Sequence, residues 1–171
     1  MAINKLPSEQ KDVWVQIATS TPTSGATVSF TSIASNWRKL RLVNRNVDIL
    51  LTSGAYLYVQ CNSLTGATDY RWFAAGSRGA TSVFSFVDEN GIYTYTGATK
   101  TKHNFDLYLT NPNYQFPIVT FNGVVGSDQE ASNIASGFIN GITTSISTLS
   151  IATGGTFSAS NTGTFTLYGT Y

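Results

Sequence analysis

Charge is scarce in this sequence. Charged residues make up 11% of the 171 residues, and the formal net charge is +1, whereas about 25% of an average soluble domain is charged. A chain so close to neutral lacks the extended field that attracts nucleic acids or anionic membranes, so we expect neither as a partner. Near-neutral proteins also associate readily, which favours a chain that hides part of its surface in an assembly.

Cysteine and histidine occur once each. The single Cys61 excludes an intrachain disulfide and a multi-cysteine metal site, and its apolar neighbours predict a small buried residue on a strand. The single His103 leaves little for a zinc site or for a Ser-His or Cys-His mechanism, and we interpret it as a solvated residue at the end of a loop. No secretion signal and no apolar run of membrane-spanning length is visible, which predicts synthesis in a cytosol.

The few acidic residues are scattered. Asp88 and Glu89 form the only adjacent pair, and neighbouring carboxylates in a turn do not flank a cleft as those of a glycosidase must. No glycine loop precedes a Lys-Ser/Thr pair of the kind that cradles phosphate. We therefore predict a protein that is not an enzyme, with no catalytic residue, no metal and no cofactor.

Threonine and serine replace the missing charges: 24 Thr and 19 Ser make up a quarter of the chain. The β-branch of threonine suits a strand, and ten or eleven short runs of alternating polarity lie between Gly- and Asn-rich turns. This pattern predicts an all-β fold, a jelly-roll-like β-sandwich of two antiparallel sheets with about 10 short strands. We expect residues 13–171 to form that single domain and the polar residues 1–12 to form an N-terminal arm.

Two local features add detail to this outline. Residues 39–51 form the longest strand candidate, and Asn44-Arg45-Asn46 inside it predicts a bulge or tight bend. Asn90-Gly91 is the strongest hairpin signal, because both residues tolerate the positive φ of a type I′ turn, and it predicts a return strand over residues 92–96.

Two segments near the C-terminus have contrasting patterns. Residues 127–140 form the only segment that admits a helix, with Ile134 and Phe138 four apart, although Gly137 argues against it. The last strand has a clear alternation, which predicts that Phe165 and Leu167 point into the core.

One basic cluster stands out and is our candidate interaction site. We interpret it as a patch that meets an acidic partner surface, and the alternative is the solvent-facing side of a strand, where charge discourages edge aggregation. The cluster consists of Arg38, Lys39, Arg41 and Arg45, and the alternation with Leu40 and Leu42 predicts that Lys39 and Arg41 share one strand face.

Aromatic residues make up 13% of the chain, and some of them are predicted at strand ends or in loops. Exposed rings there could stack on sugars or anchor a protein interface, and the alternative is ordinary packing in the core and at its corners. These candidate glycan or interface aromatics are Trp37, Trp72, Tyr95 and Tyr114.

Several short motifs occur along the chain in a distinctive order. The segment Leu57–Tyr70 has the pattern Cys-Asn-x-Leu-Thr-Gly-x-x-x-Tyr, and residues 163–169 in the last strand read Gly-Thr-Phe-Thr-Leu-Tyr-Gly. The other such segments are Val28–Ile33, Trp37–Val43, Ile142–Ile151 and Phe157–Ala159. Together they resemble small structural proteins of tailed-bacteriophage virions, of the head decoration or cement, fibre and tail-tip types. Related chains carry an acidic residue in the Gly turn, whereas Leu64-Thr65-Gly66 is neutral, which argues against a metal in that loop.

The resemblance implies a virion structural role, a jelly-roll-like sandwich and a homotrimer, and it brings no catalytic residue. The expected partners are copies of the chain itself and other virion proteins, such as the major capsid protein or neck and tail proteins. The expected location is the virion, assembled in the cytoplasm of the bacterial host. The alternative function is a host-binding carbohydrate-recognition module of a phage tail or fibre, with a host glycan as ligand.

Overall fold

The computed structural model describes residues 13–50, 57–66, 68–78, 81–89, 91–94, 100–110, 112–113, 117–126 and 131–171. The predicted arm over residues 1–12 lies outside these ranges, as do Tyr95 and Tyr114. No helix in the described ranges has the length and apolar character needed to cross a membrane. The regular structure that is described consists of thirteen strands: β1 (Val15–Ser20), β2 (Thr27–Phe30), β3 (Lys39–Leu50), β4 (Leu57–Cys61), β5 (Tyr70–Arg78), β6 (Thr81–Glu89), β7 (Ile92–Thr94), β8 (Lys100–Thr110), β9 (Ile118–Gly126), β10 (Ala131–Ile139), β11 (Leu149–Thr153), β12 (Thr156–Phe157) and β13 (Thr164–Thr170).

Eight of these strands form a jelly roll. The larger sheet contains the order β1-β13-β3-β8, and the smaller sheet has the order β2-β11-β4-β7, with every pairing antiparallel. Strand β1 pairs with β13, β2 with β11, β3 with β8 and β4 with β7. The first four strands of the jelly roll therefore run antiparallel to the last four, taken in reverse order. This arrangement of two Greek keys confirms the predicted antiparallel β-sandwich of jelly-roll type.

Two hairpins extend the larger sheet beyond the jelly roll. One hairpin, β5–β6, is inserted between β4 and β7, and the other, β9–β10, is inserted between β8 and β11. They join each other and the jelly roll because β9 pairs with β8 and β10 pairs with β5. The larger sheet then runs β1-β13-β3-β8-β9-β10-β5-β6, and the short β12 also pairs with β3.

The hydrophobic core lies between the two sheets and is built from alternate residues of the jelly-roll strands. On β13, Phe165 and Leu167 have no exposed surface, whereas Thr164, Thr166 and Tyr168 are half-buried. This alternation confirms the predicted inward face of the last strand. The rings of Phe105 and Phe157 approach that of Phe165, with ring centroids 6.3 and 5.8 Å apart, so aromatic contacts join three strands of the larger sheet.

Cys61 is buried on β4, as its apolar neighbours predicted. Burial disfavours the thiolate and raises the pKa of the thiol to about 12. The backbone N–H of Cys61 donates a hydrogen bond of 2.7 Å to the hydroxyl of Tyr70, which is itself buried at the start of β5. Cys61 therefore acts as a small packing residue where the first inserted hairpin leaves the jelly roll.

The predicted irregularity in β3 is a β-bulge. Asn44 is paired with Phe105 and Val47 with His103, so two residues of β3 stand where β8 has only Asn104. The extra residue reverses which positions face inward, so that Leu42 and Asn44 are buried before the bulge and Val47 and Ile49 after it. Asn46 takes a positive φ of 53°, a conformation that asparagine tolerates better than most residues.

The hairpin predicted at Asn90-Gly91 is wrong. Strand β7 begins at Ile92 but pairs with β4 in the smaller sheet, while β6 pairs with β5 in the larger one. The chain therefore crosses between sheets at this point. A Cβ on Gly91 would lie 3.2 Å from the ring of Tyr58 and 3.3 Å from the carbonyl oxygen of Val59. The glycine permits close approach to β4 at the crossing.

The segment that admitted a helix is a strand instead. Residues 131–139 form β10, paired on both sides with β9 and β5, and Ile134 and Phe138 are exposed on one face of it. Residues four apart share a face in a strand as well as in a helix, so their spacing could not distinguish the two. The small Gly137, Ala135 and Ser136 weakened the strand signal without providing a helical one.

We predict that Leu167→Asp abolishes soluble folding, because it places a carboxylate in the fully buried centre of β13. An unpaired buried charge costs more than about 4 kcal/mol, a large part of the stability of a domain this size. Thr166→Asp, on the opposite face of the same strand, is the matched control and should fold. Soluble yield and thermal unfolding measure both variants; a wild-type melting temperature for Leu167→Asp would show that β13 is not core.

Candidate interaction site on the outer face of the larger sheet

The candidate site lies on the face of the larger sheet that points away from the smaller sheet. On β8, Phe105, Leu107 and Leu109 are buried, so Asp106 and Tyr108 between them face outward. Their register partners on β3 also face outward: Arg41 lies opposite Tyr108, and Val43 lies opposite Asp106. Sheet register thus brings basic residues of one strand to acidic and aromatic residues of its neighbour.

Two arginines meet at one carboxylate in this site. Arg41 Nη2 donates a hydrogen bond of 2.6 Å to Asp106 Oδ2, and Arg45 Nη2 lies 2.9 Å from Asp106 Oδ1. Arg45 Nη1 also donates to the backbone oxygen of Asn44 at 2.8 Å. Arg45 stands in the β-bulge and is half-exposed, whereas Asp106 is mostly buried. The two cations and single anion leave one excess positive charge on the surface.

Arg41 is held in place by this pairing. Burial opposes its charged form, but the hydrogen bond and the Coulombic attraction to Asp106 outweigh it, so the pKa of Arg41 is raised. Its guanidinium carbon lies 5.2 Å from the centroid of the Tyr108 ring, within cation–π range. The edge of Trp14 meets the same ring, with centroids 6.0 Å apart and an interplanar angle of 68°. We call Trp14, Arg41, Arg45, Asp106 and Tyr108 the outer-face cluster.

The structure brings part of the predicted basic cluster together. Lys39 and Arg41 share the outward face of β3, as the alternation predicted, and Arg45 joins Arg41 at Asp106. Arg38 is exposed just before the strand, where its backbone N–H donates a hydrogen bond of 2.8 Å to the oxygen of Thr170. The basic residues in the sequence indicated the position of this site, but they did not indicate that Asp106 pairs with Arg41 and Arg45.

The predicted aromatic residues do not meet in one place. Trp37 is buried, stacked on Tyr171 at 4.4 Å, and a Cβ on Gly169 would lie 2.4 Å from its ring, so its placement fits core packing. The backbone of Trp72 lies in β5 opposite Val87 and Gly137. Tyr95 and Tyr114 fall outside the described residues.

Trp14 and Tyr108 are the aromatic residues that the site does contain. The sequence offered a signal for both, because each alternates with hydrophobic residues in a run of period two. Their meeting could not be predicted, since it depends on β13 and β3 lying between β1 and β8.

Two asparagines that the sequence left without a role fasten loops to the jelly roll. The side chain of Asn62, after β4, bonds the backbone of Ser145, Ser147 and Thr148 at 2.8–3.1 Å. The buried Asn161 side chain donates to the Pro22 oxygen at 2.7 Å and accepts from the Asp48 N–H at 2.9 Å. Asn62 belongs to the Cys-Asn pattern, and this geometry gives it a structural task.

The interpretation of His103 as a solvated residue is wrong. Strand β8 begins three residues earlier, and the inward alternation of Phe105 and Leu107 continues back to His103, which has no exposed surface between Val47 and Val125. The neighbouring lysines gave the segment a polar appearance that hid this. Burial disfavours the imidazolium and lowers the pKa of His103 to about 3.

The outer-face cluster is suited to recognition of a partner surface. Arg, Trp and Tyr are the residues most enriched at interfaces. Arg41, Arg45 and Tyr108 stand on strands that are paired on both sides, and Trp14 directly precedes the edge strand β1. No group of three or more His, Cys, Asp or Glu residues that could hold a metal ion is found in the described ranges. In comparisons with known proteins, no family model and no curated protein matches the chain.

We predict that acid destabilises the protein through His103. The folded-state pKa of about 3 lies below the unfolded value of about 6.5, so the stabilisation from a neutral His103 is complete above pH 6.5 and is lost as the pH falls towards 3. The expected loss is on the order of 1 kcal/mol per pH unit within that window.

The measurement is chemical unfolding at several pH values for the wild type and His103→Leu. Both proteins contain the same carboxylates, so the difference between their stability curves isolates the histidine. Below pH 6.5, the free energy of unfolding should fall more steeply with decreasing pH in the wild type than in His103→Leu. Parallel curves would contradict the prediction.

Proposed function

We propose that this protein is a non-enzymatic structural protein of a bacteriophage virion, and that it acts as a head decoration or cement subunit through protein–protein contacts. The observation that carries the proposal is the outer-face cluster, where aromatic rings and an excess positive charge stand on a rigid sheet. The virion setting is supported by the resemblance of the Cys-Asn segment and the last strand to proteins of that kind.

The cluster supports adhesion because little of it must be ordered on binding. Arg41 is fixed by Asp106 and by the Tyr108 ring, so its side-chain entropy is already lost before a partner arrives. Arg45 keeps about half of its side chain exposed, and Lys39 stands farther along the same face. An acidic surface would pair with these cations, while Trp14 and Tyr108 supply apolar contact area.

A cement subunit must bridge neighbouring capsid proteins, and a jelly roll with a broad sheet suits that task. The inserted hairpins widen the larger sheet from four strands in the jelly roll to eight in a row. This width lets one subunit span a junction between partners.

We propose that residues 1–12 serve as an arm that reaches a neighbouring protein. Deletion of these residues tests this role, because it should abolish incorporation of the protein into virions.

The central test is to count and then rebind the protein. Quantitative mass spectrometry of purified virions should find hundreds of copies per particle, whereas a handful would place it in the neck or tail and contradict decoration. Its absence from virions would refute the proposal altogether.

For rebinding, particles produced without the protein are mixed with purified variants. We expect Arg45→Glu to weaken binding at least tenfold. The substitution replaces a cation that attracts the acidic partner surface by an anion that repels it. Arg71→Glu is the matched control, since Arg71 is exposed on β5, three strands from β8. Equal binding by the two variants would show that the outer-face cluster is not the contact.

The second candidate function is recognition of a host carbohydrate. The Trp14–Tyr108 ring pair beside the Arg41–Asp106 ion pair favours it, because aromatic faces stack on sugar rings and paired charges bind hydroxyls. A glycan array should then give hits that Tyr108→Ala abolishes. An array without hits, together with unchanged phage adsorption in Tyr108→Ala and Trp72→Ala, would remove this candidate.

A further inference from the structure

Asparagine is among the residues that decay chemically in proteins. The backbone nitrogen of the next residue can attack the side-chain amide carbon, and glycine hinders this attack least because it has no Cβ. The sequence contains three Asn-Gly pairs. Asn122-Gly123 and Asn140-Gly141 lie wholly among the residues that the structure describes, whereas Asn90 of the third pair does not. The two described pairs can therefore be compared.

The sheet holds the backbone of Asn122-Gly123 in place. Both residues lie within β9, which pairs with β8 on one side and with β10 on the other at these positions. The attack requires the peptide group between Asn and Gly to rotate towards the asparagine side chain, and that rotation would break hydrogen bonds of the sheet. The exposed side chain of Asn122 is therefore protected by its backbone.

The pair Asn140-Gly141 stands outside the strands. Strand β10 ends at Ile139 and β11 begins at Leu149, so the pair lies in the connection between them, and Asn140 is exposed. The N–H of Asn140 donates a hydrogen bond of 2.7 Å to the backbone oxygen of Asp69. That bond holds the peptide group before Asn140, whereas the reaction turns the peptide group that follows it.

The fold requires the same glycine that makes this pair labile. A Cβ on Gly141 would lie 2.7 Å from Asp69 Oδ1, which is closer than such atoms approach in proteins, and 3.3 Å from Leu64 Cδ1. A larger residue would displace the Asp69 carboxylate, whose Oδ2 accepts a hydrogen bond of 2.6 Å from the N–H of Gly66. The packing of two loops thus places an unhindered nitrogen directly after an exposed asparagine.

We propose that Asn140 is a site of spontaneous deamidation in the folded protein. The nitrogen of Gly141 loses its proton to hydroxide and bonds to Cγ of Asn140. The bond from Cγ to Nδ2 breaks, and Nδ2 takes up a proton from water and leaves as ammonia. Water then opens the cyclic imide at either carbonyl carbon, which gives aspartate or isoaspartate. One water is consumed, one ammonia is released, and nothing is oxidised or reduced.

The modification changes the packing around this loop. Isoaspartate adds one carbon atom to the main chain between Ile139 and Ile142, which are both buried in the core. The N–H of Ile139 also donates a hydrogen bond of 3.1 Å to the oxygen of Pro117, which anchors this end of the loop. Either product adds a carboxylate next to Gly141, where the carboxylate of Asp69 already lies, and like charges repel. Modified protein should therefore unfold at a lower temperature, whatever the function of the protein.

The test follows each asparagine separately in the full-length protein. Folded protein is kept in mildly alkaline buffer, and peptide mapping by mass spectrometry, with chromatographic separation of the isomers, measures conversion over time. Asn140 should convert at least about tenfold faster than Asn122, because β9 must open locally before Asn122 can react. In chemically unfolded protein the two rates should become similar, since glycine follows both residues and the sheet is gone.

The matched variant is Asn140→Gln. It keeps an amide on an exposed side chain, but the longer side chain closes a ring far more slowly, and the variant should fold like the wild type. After the same incubation, the melting temperature of the wild type should fall by roughly 2–4 °C more than that of Asn140→Gln, the shift that a modest destabilisation produces in a domain of this size.

Three outcomes would overturn the proposal. Equal conversion of Asn122 and Asn140 in folded protein would show that the structure does not select the site. An Asn140 that stays intact in folded protein while it converts in unfolded protein would show that the loop protects it. Equal losses of melting temperature in the wild type and Asn140→Gln would show that the modification does not disturb the loop.

Discussion

The β-bulge in β3 is the constraint on which the rest of this structure depends. Strand β3 pairs with β13, β8 and β12, so it is the strand around which the larger sheet is organised. The bulge lets β3 place hydrophobic residues in the core on both sides of residues 44–47, while Arg45, at its start, faces outward to Asp106. Without the extra residue, one half of the strand would present its hydrophobic side chains to water.

The bulge in turn requires neighbours that fit it. A Cβ on Gly163 would lie 2.2 Å from the backbone carbon and oxygen of Asn46, so no larger residue could stand there without movement. Asn161 bonds the backbone of Gly163 in both directions, at 2.9 and 3.1 Å, and also bonds the N–H of Asp48. The turn before β13 is thereby fastened to the far side of the bulge, and this geometry sets the register of the last strand.

The sequence predicted the fold class well because alternation and turn residues are local signals. The inward face of β13, the burial of Cys61 and the bulge near Asn44 could all be inferred from residues within a few positions of each other. The Asn90-Gly91 hairpin failed for a physical reason. A local turn signal cannot tell a chain that returns to the same sheet from one that crosses to another.

The candidate site was only partly predictable. Lys39 and Arg41 lie on one strand, so their common face followed from period two, whereas Asp106 and Trp14 come from strands that only tertiary pairing brings near. His103 was misinterpreted because charged neighbours at positions 100 and 102 masked an inward alternation that begins inside the strand. The sequence could not predict which hydrophobic residues are exposed. Ile134 and Leu167 are both aliphatic residues in alternating segments, yet Ile134 lies on the surface and Leu167 in the core.

The antiparallel pairing of β1 with β13 also bears on how the protein is made. Thr19 on β1 bonds Phe165 on β13, a partner 146 residues later in the chain. A ribosome must therefore release almost the whole domain before the first strand can find its place. Such distant pairings slow folding, because the entropy of closing a long loop is lost before the stabilising contacts form. Until β13 is available, the backbone N–H and C=O groups of β1 remain unpaired and can pair with other chains. Protection by a chaperone during synthesis would therefore benefit this strand more than any other part of the sandwich.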